Sequence, residues 1–191
     1  MSASESFPSA VNTWMEKSKP FGLIFVIAAL LAVSSQASAQ GERARRLVVS
    51  YDGFGPVKIG MTLSQASRAL GVRVTRDAGY AGDDCYYATP KGGFKGIAFM
   101  MSGTRIVRID VESGSYTTDR GAKIGDSEAR IKLLYKGAYK VSRHKYFDAG
   151  RYIEVEIKGG RYGIIFETDG KRVTTYRVGR PEQVGYVEGC S

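Results

Sequence analysis

Lys91-Gly92-Gly93-Phe94-Lys95-Gly96-Ile97-Ala98-Phe99 and Lys158-Gly159-Gly160-Arg161-Tyr162-Gly163-Ile164-Ile165-Phe166 are one phrase written twice, KGGFKGIAF and KGGRYGIIF, 67 positions apart. At the same offset Gly103 meets Gly170, Arg105 meets Arg172, Ile106 meets Val173 and Val111 meets Val178. Upstream, Lys58-Ile59-Gly60 meets Lys123-Ile124-Gly125 at an offset of 65, so a two-residue indel separates the copies. Each copy opens on a helix signal and closes on strand–turn–strand signals. A duplicated small module builds a surface, which favours binding over catalysis.

In the first copy Thr62 with Gln65 is a capping box. Leu63, Ala66 and Leu70 make one helical stripe, and Gly71 stops it. In the second, Asp126 or Ser127 caps, Ile131, Leu134 and Tyr135 make the stripe, and Gly137 stops it. Helices this short do not stand alone and must lie on a sheet. Strands are expected at 72–76, 85–89, 96–101 and 105–112, then at 139–143, 152–158, 161–168 and 171–178. Ser102-Gly103-Thr104, Gly159-Gly160 and Asp169-Gly170 make the hairpin joins, the last two supplying positive φ. The expected fold is therefore α+β: two tandem repeats, each a short helix packed on a roughly four-stranded antiparallel sheet.

Strand alternation assigns the faces. Ile153, Val155 and Ile157 point one way, and Tyr152, Glu154 and Glu156 the other. Val107, Ile109 and Val111 likewise oppose Arg108, Asp110 and Glu112. The helices cover the apolar face, and the second face is expected to be wet. That face is either a binding surface or a solvated sheet with ordinary cross-strand pairs. Read as a binding surface, its contacts are Arg108, Asp110, Glu154, Glu156 and Arg177, with Tyr86 and Tyr87 at the rim.

The ends of the chain give a compartment. Residues 21–33 are all apolar or Gly, Lys17 and Lys19 precede them, and Ala37-Ser38-Ala39 follows. This predicts a signal peptide over 1–39, cleaved between Ala39 and Gln40, with a periplasmic or secreted product. The apolar run is shorter than the ~20 residues of a membrane span. Met15 begins a signal of ordinary length and is the expected start. The remaining divisions are an arm at 40–56, a first repeat at 57–122, a second at 123–180 and a tail at 181–191. In an oxidising compartment the chain's two cysteines predict a disulfide, Cys85 to Cys190, fastening the tail to the first repeat.

The formal net charge is +9. Export turns that charge toward anionic envelope polymers rather than nucleic acid. The charge is dispersed, with one cluster at Arg43-Ala44-Arg45-Arg46. No cofactor, metal or catalytic set is evident. His144 sits between Arg143 and Lys145 without an adjacent carboxylate. Asp83-Asp84 offers too few oxygens for Ca²⁺, and the two Lys-Gly-Gly turns lack phosphate-loop spacing.

The stretch Ile59-Gly60-Met61-Thr62-Leu63-Ser64-Gln65-Ala66, closed by Leu70-Gly71, resembles the helix opener of two families. They are the beta-lactamase inhibitor proteins and the SmpA/OmlA-type outer-membrane lipoproteins. The resemblance implies a helix on an antiparallel sheet, in tandem in the inhibitors, whose concave sheet face grips a partner protein. It carries over no individual contact residue. This chain has no lipobox Cys, and its one cysteine pair lies outside the inhibitors' intra-repeat pattern. The expected function is thus an exported, non-enzymatic module that binds an envelope or secreted protein through its sheet face. The alternatives are a binder of anionic envelope glycan or lipopolysaccharide, and an unanchored envelope-assembly factor.

Overall fold

The computed structural model describes residues 47–78, 82, 84–157 and 159–190. The expected signal, its cleavage point, the Met15 start and the Arg43–Arg46 cluster lie outside these residues, as do Tyr80, Asp83 and Lys158. Among the described residues, no helix is long and apolar enough to cross a membrane.

The described residues begin with a three-stranded antiparallel meander, β1 (Val49–Ser50), β2 (Gly53–Phe54) and β3 (Val57–Lys58). Helix α1 (Leu63–Leu70) and strands β4 (Val74–Arg76), β5 (Cys85–Pro90), β6 (Ile97–Ser102) and β7 (Arg105–Val111) follow. Helix α2 (Glu128–Leu134) then leads into β8 (Tyr139–Arg143), β9 (Arg151–Ile157), β10 (Tyr162–Thr168) and β11 (Val173–Gly179), and α3 (Pro181–Val184) ends the series. The eight long strands make one antiparallel sheet in the order β4-β5-β6-β7-β11-β10-β9-β8. Each group of four runs inward from an edge, and the two meet where β7 pairs with β11. The fold is α+β with two antiparallel sheets.

Local chemistry sets the helix ends. Thr62 Oγ1 accepts from Gln65 N at 3.3 Å, Gln65 Oε1 accepts from Thr62 N at 2.9 Å, and Gly71 closes α1 at φ 71°. Ser127, not Asp126, caps α2, accepting from Arg130 N at 3.2 Å. Asp126 instead accepts from Lys123 N at 3.0 Å.

One set of three bonds occurs at the foot of each group of strands. Gly60 N donates to Ile106 O, Ile106 N to Met61 O and Arg105 Nη1 to Gly60 O, at 2.7, 2.9 and 3.0 Å. Gly125 N donates to Val173 O, Val173 N to Asp126 O and Arg172 Nη1 to Gly125 O, at 2.9, 2.9 and 2.8 Å. Each set ties the approach to a helix to the start of a final strand.

The core lies between the helices and one face of the sheet. Ile131 and Tyr135 of the second helical segment pack with Ile153 and Phe166, the Tyr135 and Phe166 rings 5.4 Å apart. Ala66 and Val74 serve the other half with Phe99 and Ile109. Residues 40–56 read as an arm, yet Val49 and Phe54 are fully buried, with Phe54 edge-on to Tyr116 at 5.3 Å. Two-residue strands have too little alternation to read from sequence. Val107 also departs from the sequence reading. A bulge at β6–β7 pairs Met101 with Ile106 and Met100 with Arg108, so Ile106 takes the place in the core cluster assigned to Val107.

Candidate functional site

The sheet's second face was expected to be wet throughout. Instead, residues 181–190 run back across its central strands as a strap. The Cys85–Cys190 disulfide fastens one end, with an S–S distance of 2.07 Å. Pro181 opens α3 at a position where a missing N–H costs nothing. Val184 is buried at the helix's other end.

Two arginines of the central strands hold the strap by its backbone. Arg108 Nη1 donates to Gln183 O at 2.8 Å and to Tyr186 O at 2.7 Å, and its Nη2 donates to the Tyr87 hydroxyl. Its guanidinium also grips Asp110 through two nitrogens, at 3.0 and 2.9 Å. Arg177 Nε donates to Val184 O at 2.6 Å, and Nη1 pairs with Glu167. Arg108 and Arg177 are 3% and 5% exposed and Asp110 is 9% exposed. Burial pushes the Asp110 carboxyl above its ordinary value, against the pull of Arg108. These three residues, read as partner contacts, spend their charge inside the molecule.

The network continues toward the β8 edge. Glu167 Oε2 lies 3.2 Å from His144 Nε2, and the His144 ring stacks on Tyr152 at 4.6 Å. His144 Nδ1 accepts from Tyr146 N at 3.1 Å, which leaves Nε2 to carry the proton toward Glu167. The carboxylate that orients His144 thus comes from β10, 23 positions away in sequence. Ser142 Oγ, two residues before His144, donates to Glu154 at 2.6 Å.

Among the described residues, two openings of this face lie beside the strap. One is a cleft of about 350 Å³ at its margin, where Asp77, Asp110 and Glu112 come together. Partial burial raises the Glu112 carboxyl, and Asp110 and Asp77 add to the effect. The other is a trough of about 500 Å³ between α3 and β8. Gly163 and Ile165 lie along it with Glu154 and Glu156, while Lys140 and Pro181 stand at its sides.

The seven expected contacts therefore divide. Glu154 and Glu156 line the open trough, whereas Arg108, Asp110 and Arg177 lie under the strap. Tyr87 is also on this face, against Gly189 of the strap. Tyr86 faces the other way, packed on the core with Arg76 over its ring at 4.3 Å. The strap itself was signalled only by Cys190; nothing in its sequence says which face it crosses.

No protein-family model matches the chain, and no curated protein does. Among solved structures it is similar to the uncharacterized protein yfeY from Escherichia coli, at 19% identity and a TM-score of 0.46. That likeness covers 70% of this chain and 99% of the other. At that level it assigns neither family nor function.

Proposed function

We propose that this is an exported, non-catalytic binding module that engages an envelope or secreted protein through the trough between α3 and β8. One observation carries the reading: the trough lies open beside a strapped centre and is lined by Glu154 and Glu156. Gly163 leaves room along it, Ile165 offers an apolar contact, and Glu154 and Glu156 add negative charge. Such a site fits an apolar side chain flanked by Lys or Arg on the partner. Two carboxylates repel an anionic glycan, so the protein reading fits this site better.

The module is read as two tandem copies that share one sheet. Support comes from the repeated phrase and from the matching bonds of Arg105 to Gly60 and Arg172 to Gly125. Further support comes from Gly60 and Gly125, which take φ 93° and 87° at corresponding positions. On this reading the strap occupies the middle of the combined face, and the second copy supplies the trough.

Capture from envelope extract tests the proposal. The wild-type protein should retain one stoichiometric protein, and the Glu154→Lys, Glu156→Lys variant should lose it. Equal retention by both proteins would move the site elsewhere.

A further inference from the structure

Strand β8 closes one end of the large sheet and, among the described residues, pairs only with β9. All five of its residues are exposed, and Tyr139 and Val141 keep 37% and 43% of their surface open. An edge strand offers unpaired N–H and C=O groups to another strand, and proteins blunt such edges with Pro, bulges, covering segments or charged side chains, of which β8 carries Lys140 and Arg143. β8 has no Pro, and its register with β9 runs unbroken from Tyr139–Val155 to Arg143–Arg151.

The hydrogen-bond phase says which groups are on offer. His144 N donates to Gly150 O at 3.1 Å. Bonded and unbonded pairs alternate along an antiparallel ladder. Ser142–Tyr152 and Lys140–Glu154 are therefore bonded pairs as well. The backbone groups of Tyr139, Val141 and Arg143 point away from β9, to the open side.

We propose that β8 pairs antiparallel with β8 of a second copy of this chain, across a two-fold axis at Val141. In that register Tyr139 meets Arg143 of the second copy, and Val141 meets Val141. These are the residues whose backbone groups face away from β9, so each pair exchanges both of its bonds. The side chains agree with the backbone. Two valines meet on the axis, Arg143 lies beside a tyrosine ring, and Lys140 lies opposite Ser142, with no like charges face to face. An axis at Lys140 keeps the bonding phase but sets lysine against lysine. An axis at Ser142 carries Tyr139 past the end of the partner strand. The axis at Val141 pairs all five residues.

The same two-fold brings the loop carrying the exposed Tyr146 and Phe147 toward the end of the second copy's β8 that follows α2. A five-residue ladder is small beside a standard interface, so the dimer forms reversibly with concentration.

Sedimentation of the purified protein over a concentration series tests this. The wild type should shift from monomer to dimer. Val141→Pro removes an N–H that faces outward and leaves the bonds to β9 in place, so it should stay folded by circular dichroism and lose the dimer. Val141→Lys, at an exposed site, sets like charges on the axis and should lose the dimer at low salt, with partial recovery at high salt. A wild type that stays monomeric, or a dimer that survives Val141→Pro or Val141→Lys, overturns the proposal. Glu156→Lys separates the two readings, because it should abolish partner capture and leave the dimer intact.

Discussion

Arg108 Nη1 donates to the carbonyl of Tyr186 at 2.7 Å, across 78 positions of sequence. The guanidinium that makes this bond also binds Gln183, Tyr87 and Asp110. One side chain on a central strand therefore connects the strap, the edge of the cleft and an internal counter-charge. A buried arginine with this many acceptors holds a segment in place rather than waiting for a partner.

Arg108→Ala should destabilise the fold by about 3–5 kcal/mol, because it leaves Asp110 buried without its counter-charge. Replacing both residues with apolar ones, Arg108→Met with Asp110→Leu, should cost less than the single change. Urea unfolding of the three proteins checks the order.

The disulfide and the arginines hold different parts of the strap. Cys85→Ser with Cys190→Ser should lower stability by up to about 4–5 kcal/mol in the chain-entropy account, given a separation of 105 residues. Arg177 still holds Val184 in that variant. Hydrogen exchange should therefore accelerate at 187–190 and stay slow at the Val184 amide, which is bonded to Arg180 O.

The repeated phrase makes a sharper test. Gly96 and Gly163 hold the same place in it, yet their backbones differ. Gly96 has φ 82°, and a Cβ there would lie 2.6 Å from Ser113 O and 2.7 Å from Ser113 N. A Cβ on Gly163 would come no closer than 3.6 Å, to Val155 O. Gly96→Ala should cost more than about 1 kcal/mol, and Gly163→Ala should stay within about 1 kcal/mol of the wild type. Thermal unfolding of the pair reads the difference.

Glu128 ties α2 to the sheet and gives an acid-side dependence. Burial pushes its carboxyl up, but the hydrogen bonds from Thr168 at 2.7 Å and Lys132 at 3.1 Å outweigh that and hold it below the ordinary 4.5. A folded value below the unfolded one means that the contribution is fully present above about pH 4.5 and is lost as pH falls through the folded value. Glu128→Gln should flatten the acid limb of a melting-temperature profile and leave its neutral region level.

Most of the large sheet was legible in the chain. Gly-rich joins and alternation located eight strands to within a residue or two, and the Thr62–Gln65 box marked α1. Four features were not. The meander's strands are two residues long, below the period on which alternation depends. The bulge at Val107 depends on how β6 and β7 pair, which no single strand records. The strap hid the burial of three charged residues. Arg108, Asp110 and Arg177 look like surface charges in alternation, and their burial depends on carbonyls 75 and 78 positions from Arg108 and 7 from Arg177. The His144–Glu167 contact was likewise a matter of cross-strand register, invisible from either residue's neighbours.

Capture from envelope extract at low and high salt, by wild type and by the Glu154→Lys, Glu156→Lys variant, tests the central claim most directly. The account predicts one stoichiometric protein that the wild type retains at high salt and the variant does not. Retention only of polysaccharide or lipid, released by salt, would contradict it, as would equal capture of the same protein by the variant.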